Sequence, residues 1–297
     1  MKDIVVFYHG LCRDGFTAAW AAHKKFGDKA EYIPLIWSSL KLDQIPSVKD
    51  KDVYFLDFTP TEKELSRVLK ESKSVTVIDH HISKEALIKT LPSSVYDVSH
   101  SGAVLAWKYF HPDTKVPELC LYVEDSDIWK WEMPDSKEIL SYIELKREFD
   151  FKNWDSMAGD LENEEKKKEY VEKGKLLVAF KEKIVNEIIK EHFQLVNFEG
   201  YEIYAINAPR LFRSEIGAKL AEMKPPFGIV WSYTTDEISF SLRAIQDDFD
   251  LIPVVNKFGG GGHKQAVNFR LPLGASLPWK PVRSLTRTKG ANPKDLG

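Results

Sequence analysis

The chain has only two cysteines, Cys12 and Cys120, in 297 residues. No disulfide framework can be built from them, and a reducing setting is expected. Long apolar runs are also missing. The first run, Ile4-Val5-Val6-Phe7-Tyr8, is too short for the core of a secretion signal, and no small-residue cleavage site follows it. No stretch approaches the ~18 apolar residues of a membrane span. A soluble, cytoplasmic chain with no membrane partner is therefore expected. Neither sign of charge dominates: 42 basic and 45 acidic side chains leave a net charge of −3, which excludes a basic nucleic-acid coat. There is no internal repeat. The remaining composition, 43% hydrophobic and 29% charged, belongs to an ordinary folded chain and excludes a disordered or collagen-like one. The length exceeds the ~150 residues of a typical domain, so two domains are expected.

Three short β-rich runs stand out early: Ile4 to Tyr8, Val53 to Leu56 and Val75 to Ile78. A helical pattern follows the first, at Phe16 to Ala22. Another follows the second, where Thr59-Pro60-Thr61-Glu62 reads as an N-cap Thr, a Pro at the first helical position and a Glu at the third. Strands alternating with helices, apolar without a break, predict an α/β fold with a parallel sheet covered on both faces. From about 163 to 192 the chain reads as one long helix, with Tyr170, Leu176, Leu177, Phe180, Ile184 and Ile188 at helical spacing, fit to join two domains. A second α/β region follows. Its strands are expected at Glu202 to Ile206, Phe227 to Tyr233, Ile238 to Arg243 and Val267 to Leu271, and its helices at Ser214 to Met223 and Asp250 to Phe258. The expected domains are 1–160, a linking helix 161–195, a smaller domain 196–275 and a basic, flexible tail 276–297.

The polar residues fall at informative places. The first strand ends at His9, with Asp14 just beyond. The second ends at Asp57 and the third at Asp79-His80-His81. In a parallel sheet these strand ends lie along one edge, where ligands bind. Taken singly, each residue is as ordinary as a capping Asp or a surface His. Together they form a cluster of carboxylates that repel one another unless a cation joins them. Asp and His together suit Mn²⁺, Mg²⁺, Fe²⁺ or Zn²⁺. Asp125 or Asp127 could complete the set. Farther on, Gly259-Gly260-Gly261-Gly262-His263 places bare backbone N–H groups where an oxyanion could rest, and Arg243 at a strand end could grip a phosphate bidentately.

The Asp79-His80-His81 triplet after a β-rich run and the later Gly-Gly-Gly-His resemble the DHH phosphoesterase superfamily with its DHHA1 C-terminal domain. The resemblance runs from about residue 3 to 272. His9, Asp14-Gly15, Asp57, Asp79-His80-His81, Ser101-Gly102-Ala103, Asp125, Arg243 and Gly260-Gly261-Gly262-His263 follow in the family's order. It implies two domains with an active site in the cleft between them and two Mn²⁺-type ions. Asp57 would bridge the ions, His9 would bind one, and Asp14, His80 and Asp125 the other. Asp79 would orient His80, and His81 would face the phosphate. Arg243, His263 and the backbone of Gly260, Gly261 and Gly262 would grip the substrate. One position departs from the pattern: Cys12 stands where the first motif usually has an aspartate, and as a thiolate ligand it would favour a softer ion such as Zn²⁺.

The resemblance implies hydrolysis of phosphate esters in short oligonucleotides, linear or cyclic dinucleotides, or 3′-phosphoadenosine 5′-phosphate. The other readings are a pyrophosphatase or exopolyphosphatase, and a non-catalytic nucleotide-binding regulator weakened at Cys12. The charge favours small substrates over a stable long nucleic-acid partner. A monomer or homodimer is expected.

Overall fold

A computed structural model describes residues 2–36, 45–245 and 248–282. The chain divides into two compact units, Met1–Ala179 and Phe180–Gly297. The first holds strands β1 (Ile4–His9), β2 (Ala30–Leu35), β3 (Asp52–Leu56), β4 (Ser74–Asp79) and β5 (Ser94–Tyr96), in the order β2-β1-β3-β4-β5. Every pair is parallel, with Val5 opposite Val53 and Phe7 opposite Phe55. The expected covered parallel sheet is what forms. Successive side chains of one strand feed two cores. Val6, Tyr8, Leu56 and Ile78 pack on one face, and Val5, Phe7, Val53, Phe55, Val75 and Val77 on the other. That is why these strands read as unbroken apolar runs.

Helices α1 (Arg13–Phe26), α2 (Glu62–Glu71), α3 (Glu85–Ile88), α4 (Gly102–Phe110), α5 (Glu118–Asp127), α6 (Ser136–Lys146) and α7 (Phe151–Leu161) complete this unit. The alanine-rich α1 is buried along most of its length, against the Trp20–Trp107 stack and Trp154. The start of α2 differs from the expectation. The cap is Thr61 rather than Thr59: its hydroxyl accepts from Glu64 N and the Glu64 carboxylate takes the Thr61 N–H, a reciprocal capping box. Thr59 is left free for a role in the site. The long helix α8 (Glu164–His192) contains the division between the units.

The second unit is a mixed sheet of β6 (Gln194–Phe198), β7 (Tyr201–Asn207), β8 (Phe227–Tyr233), β9 (Glu237–Ala244), β10 (Gly261–His263), β11 (Ala266–Pro272) and β12 (Lys280–Pro281). The order is β10-β11-β9-β8-β7-β6-β12, and β7–β8 is the parallel pair. Helix α9 (Arg213–Met223) lays Ile216 and Leu220 with Val185 and Ile189 on one face. On the other face a ladder of rings fills the core, with Phe240 stacked on Phe269 at 4.5 Å. The helix expected over 250–258 is the short α10 (Ile252–Asn256). The expected loose tail is in part structured: Leu277 and Trp279 pack into this core, and Lys280–Pro281 pair with β6. Its basic residues Arg283, Arg287, Lys289 and Lys294 lie outside the described residues. No helix among the described residues is long and apolar enough to cross a membrane.

Candidate metal centre

The carboxyl ends of β1, β3 and β4 deliver His9, Asp57 and Asp79-His80-His81 to one sheet edge, and α1 brings Cys12 and Asp14 there. Two close approaches make this possible. Gly15 lets α1 lie against β1, since a Cβ there would come within 2.2 Å of the His9 carbonyl oxygen. Gly102 lets the N-terminus of α4 press on the cluster, since its Cβ would stand 2.6 Å from the Asp57 Cβ. That helix start also holds a carboxylate. The N–H groups of Gly102 and Ala103 donate to the two Asp14 oxygens at 2.7 and 2.9 Å, where the helix's positive end favours negative charge. Ser101 caps the same turn.

Asp57 is the centre of the cluster. Its backbone sits at φ 52°, an unusual conformation for a residue other than glycine. Its Oδ2 lies 3.2 Å from His9 Nδ1 and its Oδ1 lies 3.2 Å from His80 Nε2. One carboxylate thus faces two groups of donors. On one side are His9, Cys12 and Asp57; on the other are Asp14, His80 and Asp127. His80 Nε2 is 3.6 Å from Asp14 Oδ2 and 3.4 Å from Asp127 Oδ2. Asp79 accepts the backbone N–H groups of His80 and His81 on Oδ1 at 2.7 and 3.1 Å, and the Thr59 hydroxyl on Oδ2. Oδ1 also meets the His81 ring, 2.7 Å from its Nδ1. The ring that Asp79 orients is therefore His81's, whereas the family resemblance assigned it to His80.

Asp125 does not join the group. Its Oδ1 accepts from the N–H groups of Glu132 and Met133 at 2.8 and 3.3 Å, holding the loop after α5. Asp127 takes the place beside His80 that the family pattern gave to Asp125. The reason is helical geometry: positions two apart on α5 face opposite ways.

The electrostatics fit a cation. Burial, then the neighbouring Asp57 and Asp127, push the Asp14 carboxyl well above the usual carboxylate range. Burial also raises Asp127. Burial opposes ionisation of Asp57 as well, but hydrogen bonding to His80 and His9 outweighs it and holds Asp57 low. Burial works against a charged His80, yet Asp57 and Asp127 hold its proton well above the ordinary histidine range. Among the described residues the buried Asp127 Oδ2 has no hydrogen-bond partner. Buried Asp14 and Asp57, with the half-buried Asp127 beside His80, make a donor set that a divalent ion completes.

In the second unit, Arg243 is buried. Its guanidinium donates to the Leu242 carbonyl at 2.8 Å and to the Ser214 hydroxyl at 3.3 Å. Burial, helped by Arg213, pushes it down to about 9. Gly261, Gly262 and His263 form β10, paired with β11 in a tight hairpin. Gly262 has φ 142°, and a Cβ there would meet the Ala266 carbonyl oxygen at 2.4 Å. The glycine run is thus an ordered, half-buried turn.

Sequence reasoning alone did not find the roles of Thr59 or of the Gly102 and Ala103 N–H groups. The Ser101-Gly102-Ala103 segment, a capping residue followed by small ones, was the available signal.

No family model matches the chain. It is 30% identical over 300 residues to the uncharacterised protein R106 of Acanthamoeba polyphaga mimivirus, an alignment covering 94% of this chain and 70% of that protein. It is 24% identical over 243 residues to the oligoribonuclease NrnB of Bacillus subtilis (strain 168), covering 69% of this chain and 55% of NrnB. Among solved structures it is similar to RecJ from Thermus thermophilus in complex with Mn²⁺. That match has a TM-score of 0.50 and 14% identity, over 90% of this chain and 49% of RecJ.

Proposed function

The chain belongs to one family with the viral protein R106, and we propose that it is a DHH-type, metal-dependent phosphoesterase of small nucleotides. The observation that carries this reading is the shared Asp57 carboxylate, each oxygen 3.2 Å from a different histidine. Divalent cations, of which Mn²⁺ is the first choice, would be held by His9, Cys12 and Asp57 on one side and by Asp14, His80 and Asp127 on the other, and would supply an activated water and charge against the phosphate. Asp14 is kept in place for that task by the α4 N–H groups. His81, its Nδ1 held on Asp79, is assigned to face the substrate phosphate. Arg243, the backbone of Gly260, Gly261 and Gly262, and His263 are assigned to the substrate phosphate. A Cys12 thiolate in the first group would move the preference toward Zn²⁺.

The substrate class proposed is short oligonucleotides, linear or cyclic dinucleotides, or 3′-phosphoadenosine 5′-phosphate. Two observations support it: the oligoribonuclease activity in the name of NrnB and a net charge of −3, poorly suited to long nucleic acid. The purified chain with Mn²⁺ should release mononucleotide from a dinucleotide, or phosphate from 3′-phosphoadenosine 5′-phosphate. Asp57→Asn should abolish the release. Release from inorganic polyphosphate alone would overturn the nucleotide reading, and equal release by Asp57→Asn would overturn the assigned site.

A further inference from the structure

Helix α5 ends in a pair of hydrogen bonds that normally demands glycine. The Lys130 N–H reaches the Asp125 carbonyl at 2.9 Å, and the Trp129 N–H reaches the Ser126 carbonyl at 3.3 Å. This is a Schellman end, and its left-handed position, just past the cap Ile128, is the usual place of a glycine. Here it is held by Trp129, at φ 60°. A bulky residue in that conformation is strained. The strain is imposed by the surroundings: Asp125 fixes the loop from both sides, through its carbonyl to Lys130 and Trp131 and through its carboxylate to Glu132 and Met133.

The ring held there is not a core residue. Trp129 is 41% exposed, whereas Trp131, edge-on to it at 5.3 Å, packs against the first core. Trp129 follows by two residues Asp127, whose Oδ2 is 3.4 Å from His80 Nε2. Two residues span at most about 7 Å, comparable to the reach from a nucleotide's phosphate to its base. An exposed indole, kept in a costly conformation two residues along the chain from Asp127, suits a stacking platform.

We infer that Trp129 stacks on the nucleobase of the substrate whose phosphate lies at the metal centre. The inference rests on the reading of that centre as a nucleotide-phosphate site. Stacking is sequence-tolerant, so Trp129 favours nucleotides over base-free phosphates without choosing strictly among bases.

The test is equilibrium binding, which needs no turnover. Adenosine 5′-monophosphate and inorganic phosphate are titrated calorimetrically into the full chain with Mn²⁺, and into Trp129→Gly and Trp129→Phe. Glycine suits the left-handed position, so Trp129→Gly keeps the fold, which its melting temperature checks. The unaltered chain should bind the nucleotide more tightly than phosphate. Trp129→Gly should weaken nucleotide binding about tenfold or more and leave phosphate binding unchanged. Trp129→Phe should stay within about threefold of the unaltered chain, since it keeps a π-face. Equal affinity for the two ligands, no nucleotide binding, or a Trp129→Gly loss shared equally by phosphate would each overturn the inference. If the stacking inference fails while nucleotide hydrolysis persists, the phosphoesterase reading stands.

Discussion

At the scale of single residues, two aspartates of one helix have different tasks. Asp125 organises a loop, and Asp127 stands beside His80 and Asp14. The contrast yields a paired prediction. Asp127→Asn should lower Mn²⁺ affinity by at least about tenfold, because it removes a charged donor from the cluster. It should leave stability the same or higher, since burial already disfavours the ionised form. Asp125→Ala should leave Mn²⁺ affinity nearly unchanged and cost about 1 kcal/mol for each N–H group it abandons. Mn²⁺ titration and denaturant unfolding of the two variants check both halves. The reverse pattern would return the ligand role to Asp125. The sequence could not settle this choice. Both residues sit in one acidic stretch, and the deciding facts, the helix phase and the two loop N–H groups, become visible once the loop is built.

At the scale of elements, the N-terminus of α4 is the feature that shapes the centre. A helix start supplies two N–H groups to Asp14, and the missing side chain of Gly102 lets it approach Asp57. Gly102→Ala forces a Cβ to within 2.6 Å of the Asp57 Cβ, so the helix or the carboxylate must shift. The expected result is a loss of about 1–3 kcal/mol in stability together with weakened Mn²⁺ binding. Thr61→Ala is the control on another helix start. It removes the α2 capping box at a cost of about 1 kcal/mol and should not change Mn²⁺ binding. Unfolding curves and metal titrations on both variants separate them. Gly102→Ala that binds Mn²⁺ like the unaltered chain would remove α4 from the account of the site.

For the whole molecule, the sheet of the first unit was the most legible part. Strands β1, β3 and β4 are buried on both faces, and such strands announce themselves as short unbroken apolar runs ending in polar residues. The edge strands β2 and β5 were not legible, because Ala30–Leu35 alternates burial irregularly and Ser94–Tyr96 has only three residues. Helices α4 to α7 were missed too, although α7 buries Trp154, Met157, Ala158 and Leu161 at helical spacing. The candidate site was legible as a set of strand-end residues, down to Asp57 and His80. The donors from helix starts and turns were not, since a backbone N–H leaves no mark in a sequence. The central claim is that Asp57 serves two ion positions, one with His9 and Cys12 and the other with Asp14, His80 and Asp127. It is tested most directly by counting the Mn²⁺ ions bound per chain in an equilibrium titration of the unaltered protein and of Asp57→Asn. The account predicts two ions per chain, with both affinities lowered in the variant. A single ion, or two ions bound unchanged by Asp57→Asn, would contradict it.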